Sequence, residues 1–167
     1  LGLSQAVAAE SDSLMIKGLV TVAGNTSSEN AITNANLLLS WYEPPADNIP
    51  VIVGADKPIK RPLSSTGKLI HGPDGLWWLA ELTADNRLST ANRDVNERGR
   101  KKATNFYCEK NQLQQVTLLA LGPLTNIAKA IKKCPKNFKN AAGLEIIVLG
   151  GVDMTGMETP STGIESP

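Results

Sequence analysis

Apolar residues recur along this chain in two rhythms. Met15 to Ala23 is a run rich in β-branched and aliphatic residues that predicts a strand, broken by Gly24. Val51-Ile52-Val53, Val116 to Leu121 and Glu145 to Leu149 are shorter continuous runs of the same kind. The other rhythm is helical. Ile32, Ala35, Leu39 and Tyr42 are spaced three, four and three apart, as a one-sided helix requires. Thr26-x-x-Glu29 is a capping-box pattern that predicts where this helix starts, and Pro44-Pro45 predicts where it stops. Pro123 fits a first helical turn, and Leu124, Ile127, Ala128 and Ile131 predict a buried face behind it. Lys129, Lys132 and Lys133 suit the C-terminal half of that helix, where its dipole favours cations.

The remaining segments are less regular. Residues 1–11 predict the end of a helix, 56–75 mostly loop, and Gly75 to Leu82 a helical turn or short helix. Part of 91–112 is expected to be helical, and 153–167 to be loop or disordered tail. Continuous apolar strands alternating with amphipathic helices predict an α/β fold. The sheet is Rossmann-like and mostly parallel, with helices on both faces. There is no internal repeat or clear linker, so the expectation is one domain over 1–152 and a tail over 153–167.

Length and charge narrow the function classes. The chain has 167 residues, enough for one domain with a real core. Its 17 Lys and Arg against 16 Asp and Glu create no field to attract nucleic acid or anionic membrane. No apolar run approaches the roughly 20 residues that span a bilayer. Residues 1–11 carry no positive charge and do not resemble a secretory signal. Cys108 and Cys134 fit no zinc or C-x-x-C spacing, so two ordinary thiols in a cytoplasmic or other reducing compartment are the expectation.

Ligands of parallel sheets bind beyond the C-terminal strand ends. Three such ends carry suggestive residues: Gly24-Asn25, Leu121 to Asn126, and Gly150-Gly151. Taken alone, Asn25 reads as a turn or cap residue. His71, the single histidine, lies in the polar loop His71-Gly72-Pro73-Asp74-Gly75. Trp77 and Trp78 read as packing residues, and Asp56 and Asp74 as turn residues. No G-x-G-x-x-G follows the first strand, and no Walker loop or G-x-S-x-G elbow occurs.

Several segments, in order, resemble one family. Lys17 to Asn25 is similar to the second-strand signature of inosine-uridine nucleoside hydrolases, and Asn34-Ala35 fits the next helix of that family. Ile49 to Pro58 with Arg61-Pro62, the His71 to Gly75 loop, Ala120 to Ala128 and Glu145 to Gly151 continue the likeness. The resemblance runs from about Leu1 to Val152.

The resemblance implies cleavage of the N-glycosidic bond of ribonucleosides, giving ribose and free base. It implies a calcium ion held by carboxylates and a backbone carbonyl, with an aspartate as general base. Carried over by position, Asn25 corresponds to a ribose-binding asparagine and His71 to a histidine lining the substrate pocket. Leu121 corresponds to the residue whose carbonyl binds the metal. The family's opening D-x-D-x-x-x-D-D would end at about Leu1 and is missing from this sequence. Residues 152–167 contain no Glu-Phe-Asn segment. The expectation is therefore an incomplete nucleoside hydrolase fold, inactive by itself and not binding calcium alone. The partner expected is a nucleoside or ribose if a complete site is assembled. The alternatives are a non-catalytic interaction subunit, with another chain or a second copy covering the incomplete sheet, and a simple nucleoside or ribose binder.

Overall fold

A computed structural model describes residues 15–40, 49–60, 62–63, 66–78, 102–109 and 111–150. The expected helix over 1–11, the stop at Pro44-Pro45, any helix beyond Trp78 and the tail over 153–167 lie outside these residues. The described elements run β1 (Leu19–Val20), α1 (Ser28–Ser40), β2 (Val51–Ile52), α2 (Thr66–His71), α3 (Ala103–Tyr107), β3 (Thr117–Ala120), α4 (Thr125–Lys133), α5 (Pro135–Lys139) and β4 (Glu145–Val148).

All strand pairing among them is parallel. β1 pairs with β2 in the register Leu19 to Val51, and β3 with β4 in the register Thr117 to Glu145. Val53 bridges Lys102 on the far side of β2. Parallel neighbours need a crossover, and α1 supplies it between β1 and β2, α4 and α5 between β3 and β4. The α/β reading of the sequence is thus the observed architecture, with an incomplete sheet.

α1 starts one residue later than its sequence pattern suggests. The Asn30 N–H donates to the Ser27 hydroxyl at 3.1 Å, which makes Ser27 the capping side chain. Thr26 is otherwise engaged: its hydroxyl accepts from the Asn30 side-chain amide at 2.9 Å, and its carbonyl accepts from the Gly24 N–H at 3.1 Å. Ile32 and Leu39 are buried as their spacing requires, and they pack with Val51. Leu37 is fully buried and Asn34 nearly so.

The principal core lies between β2 and the helices after it. Ile52, Ala103, Phe106, Tyr107, Leu113 and Ala130 form it, with Val20, Leu118 and Ile127 against them. Burial pushes the Tyr107 hydroxyl up to about 12.

Four expectations are corrected. Residues 66–71 form a helix where loop was expected. α4 buries only part of the face predicted for it: Ile127 packs against the core, but Ala128, Leu124 and Ile131 are exposed, and the buried residues are Thr125, Asn126 and Ala130. β4, expected to be a buried strand, is exposed at all four residues because only β3 lies beside it among the described residues. Cys108 and Cys134 are not two separate thiols. They form a disulfide with a Cα separation of 5.8 Å, joining the end of α3 to the end of α4. A reducing compartment therefore does not follow from these cysteines.

Candidate functional site

The exits of β1, β2 and β3 gather on one side of the molecule, because parallel strands end at a common edge. β1 continues through Thr21-Val22-Ala23 into the turn of Gly24 to Thr26. β3 leads directly to Leu121, Gly122 and Pro123. These two exits touch. A Cβ added at Gly24 would stand 3.3 Å from the Pro123 ring, and one at Gly122 would stand 3.2 Å from the Val22 side chain. Asn25 and Leu121 each therefore sit one residue from a contact between their segments. Asn25 is exposed, and Leu121 is half-buried.

His71 reaches the same neighbourhood by another route. It is the last residue of α2, and α2 begins against Asn25. A Cβ at Gly67 would lie 2.5 Å from the Asn25 carbonyl oxygen and 2.7 Å from its Cα. His71 is half-buried, and its carbonyl accepts the Trp77 N–H at 3.2 Å.

The loop after His71 is held in place by α1. Asn30 and Asn34, one helical turn apart, donate side-chain N–H groups to the carbonyls of Pro73 and Asp74 at 3.0 and 2.9 Å. Gly72 and Gly75 have φ of +78° and +87°, which side chains oppose. Glycine at Gly75 also leaves room for Thr26, whose Cγ2 would be 2.8 Å from a Cβ there. Asp74 serves the turn as expected, its Oδ1 accepting from the Leu76 N–H at 2.9 Å. Among the described residues its Oδ2 has no hydrogen-bond partner. Desolvation pushes the Asp74 carboxyl up. The backbone N–H groups of Leu76, Trp78, Asp74 itself and Trp77 outweigh it and hold the group below the usual carboxylate range.

Trp77 and Trp78 are not packing residues. They are 55% and 44% exposed, both at positive φ, with ring centroids 5.8 Å apart. The Trp77 indole N–H donates to the Ile70 carbonyl at 2.8 Å, which fixes one ring against α2.

A buried polar residue that joins two strand ends is one that the sequence pattern did not single out. Asn126 is 6% exposed. Its Nδ2 donates to the Thr21 carbonyl at 2.8 Å, and its Oδ1 accepts the Ala55 N–H at 2.8 Å. The signal available was an asparagine at the start of an amphipathic helix, where solvent capping is the commoner role.

A calcium ion takes 6–8 oxygen ligands, several of them usually carboxylates. Among the described residues no three His, Cys, Asp or Glu side chains group to hold a metal. The Leu121 carbonyl and the Asn25 amide would supply neutral oxygens only. The residues described do not fit a calcium site by themselves.

The parallel strands, their helical crossovers and the polar loops at their C-terminal ends define an α/β protein of the kind that binds small ligands at that edge. The sequence pattern of the inosine-uridine preferring nucleoside hydrolases matches residues 2–163, and the chain belongs to that family. It is 36% identical over 147 residues to uridine nucleosidase 1 of Arabidopsis thaliana, covering 87% of this chain and 40% of that protein. It is 29% identical to the non-specific ribonucleoside hydrolase RihC of Klebsiella pneumoniae, covering 89% of this chain and 44% of the relative. Among solved structures, the plant nucleoside hydrolase PpNRh1 superposes with a TM-score of 0.69 at 29% identity, over 90% of this chain and 44% of the other. The inosine-guanosine nucleoside hydrolase shares the fold, with a TM-score of 0.63 at 22% identity. The chain thus spans less than half the length of these relatives. No helix among the described residues is long and apolar enough to cross a membrane.

Proposed function

We propose that this chain forms one wall of the ribose pocket of a ribonucleoside hydrolase and does not hydrolyse nucleosides without further carboxylates. The observation that carries this reading is the meeting of the Asn25 turn, the Leu121 turn and the start of α2 at one edge of the sheet. In this reading the Asn25 amide bonds a ribose hydroxyl, and His71 lines the pocket. The Leu121 carbonyl contributes one oxygen toward a cation whose carboxylate ligands come from elsewhere. Asparagine suits the sugar because it can donate and accept at once, as a hydroxyl pair requires.

Release of ribose from inosine and uridine tests the proposal in two preparations. The purified chain is expected to give no release above the uncatalysed rate, with or without calcium. Calcium-dependent release that a chelator abolishes would overturn the claim that it is inactive alone. The native assembly recovered through a tag on this chain is expected to cleave at least one of the two. There, Asn25→Ala is expected to lower kcat/KM by about a hundredfold, on the order of 3 kcal/mol. An assembly that cleaves neither nucleoside would overturn the hydrolase reading.

A second reading, a non-catalytic interaction subunit on the same fold, is favoured by β4. Ile146, Ile147, Val148 and Leu149 are 40–70% exposed and alternate between both faces of the sheet. Parallel strands are ordinarily covered on both faces. The occupant this favours is a polypeptide that adds a strand beside β4. The N–H groups of Glu145 and Leu149 point to β3, so those of Ile146 and Val148 face the free edge, and a co-purifying chain that slows amide exchange at these two, in an assembly without nucleoside cleavage, would support it. A monodisperse monomer with rapid exchange there would sink it.

A further inference from the structure

We propose that Asn126 is the positioning residue of the strand-end edge. It fills a break in the β1–β2 ladder and so sets the direction in which the Asn25 turn leaves the sheet. The proposal extends the ribose-pocket reading of that edge, but its geometry does not depend on that reading.

The break is visible in the hydrogen bonds. Leu19 and Thr21 donate their N–H groups to the Pro50 and Ile52 carbonyls, both at 3.0 Å. The offset from donor to acceptor is 31 residues at Thr21. A regular parallel ladder would next join the Gly54 N–H to the Thr21 carbonyl, and then the Ala23 N–H to the Gly54 carbonyl. Neither bond forms. The Gly54 N–H goes to the Thr21 hydroxyl at 3.2 Å, and the Ala23 N–H goes to the Ala55 carbonyl at 2.9 Å, one residue further along. The β2 strand has gained a residue against β1, a bulge of a kind rare in parallel pairs.

Among the groups that the slip leaves without ladder partners are the Thr21 carbonyl, which is buried, and the Ala55 N–H, which is part-buried. Backbone groups screened from water in this way need partners. Asn126 satisfies both with a single side chain, an N–H to the carbonyl and a carbonyl to the N–H. A primary amide presents a donor and an acceptor on one rigid plane, as a peptide unit does. Gly54 is the complement of this arrangement. A Cβ there would collide with the Thr21 carbonyl oxygen and lie 2.6 Å from the Asn126 Nδ2.

The consequence falls on Asn25. A bulge bends the pairing it interrupts and re-aims the residues beyond it. Here the chain after the slip is Ala23, Gly24 and Asn25. Asn126 stands on α4, the helix after the Leu121 turn. One side chain therefore couples the exits of β1, β2 and β3. It acts through the backbone and is not assigned contact with a ligand.

The experiment uses the full chain and needs no nucleoside, so a failure of the hydrolase reading cannot be mistaken for its own failure. Amide exchange and amide resonances are compared in wild type, Asn126→Asp and Asn126→Ala. The aspartate variant keeps an acceptor for the Ala55 N–H. It loses its donor to the Thr21 carbonyl when ionised and recovers one when protonated. At neutral pH, Ala55 is expected to exchange within about threefold of wild type in Asn126→Asp, while Ala23 and Gly24, whose N–H groups are bonded beyond the slip, exchange at least tenfold faster and the Asn25 resonance shifts. Near pH 4.5 these positions are expected to return toward wild type measured at the same pH. Asp56, beside Ala55, and Lys129, one turn along α4, are the nearby charges in sequence, and the matched wild-type control carries both. In Asn126→Ala, Ala55, Ala23 and Gly24 are all expected to exchange at least tenfold faster at both pH values. Unchanged Ala23 and Gly24 in both variants would overturn the proposal, as would an aspartate variant with no pH-dependent recovery. If Asn126→Ala fails to fold, the recovery of Asn126→Asp alone decides.

Discussion

The regions around β2 and β4 are written in the same apolar alphabet and meet opposite fates. Val51 and Ile52 are 6% and 3% exposed, whereas Ile147 and Val148 are 46% and 48% exposed. β2 has β1 along one edge, Lys102 bridged to Val53 along the other, and residues of α1 and α3 packed over it. β4 has β3 alone among the described residues. An apolar strand is buried by what surrounds it, and its own composition states only a demand for cover. Around β3 and β4 the covered side is the helical one, where Phe106, Tyr107, Leu113 and Ala130 pack together. There a covalent bond supplements the packing.

That bond gives the largest expected effect. The disulfide joins residues 26 apart in sequence, and opening a loop of that size costs about 3.5 kcal/mol in the chain-entropy account. Reduction, or Cys108→Ser with Cys134→Ser, is expected to lower the urea midpoint accordingly. An unchanged midpoint would mean that packing alone holds α3 to α4. Next is Leu37→Ala on α1, where removing a fully buried side chain is expected to cost about 3 kcal/mol by the same measurement. A cost under about 1 kcal/mol would erase the contrast between the two regions.

Tyr107 gives an effect of similar but slightly smaller size, at alkaline pH. Its hydroxyl is raised from 10.0 to about 12 by burial. The folded state therefore holds this proton more tightly than the unfolded chain does. The associated stability is fully present below pH 10 and is lost as the pH rises through 12, on the order of 2–3 kcal/mol in all. Tyr107→Phe is expected to flatten that part of the pH profile, and a variant with the wild-type slope would contradict the assignment. Least is expected of Ile147→Asp on β4, within about 0.5 kcal/mol of wild type. A large destabilisation there would show that β4 is covered after all.

The strand and helix order was legible because each element carries its own period. Residues 15–23, 51–53, 116–121 and 145–149 each contain the strand expected of them. The helix after Gly24 was legible as well, although its cap moved from Thr26 to Ser27 once Asn30 engaged the Thr26 hydroxyl. For the site, the sequence pointed to Asn25, His71 and Leu121 as residues at strand exits and loops. It could not show that Gly67 seats α2 against Asn25, or that Asn30 and Asn34 hold the loop after His71. Those facts depend on residues distant in sequence meeting in space.

By itself, then, the sequence determined an α/β fold, because periodicity and turn chemistry are local, and the likeness of its motifs to known ones pointed to the family. Only the tertiary structure decided which apolar residues are covered. It also decided that Cys108 and Cys134 pair, and that a polar residue, Asn126, occupies the buried side of α4 where Leu124 and Ile131 were expected. The physical reason is that an unpaired buried carbonyl and N–H cost more than an exposed aliphatic side chain. The slip in the β1–β2 ladder created both groups, and no local pattern in the sequence records where a ladder will slip.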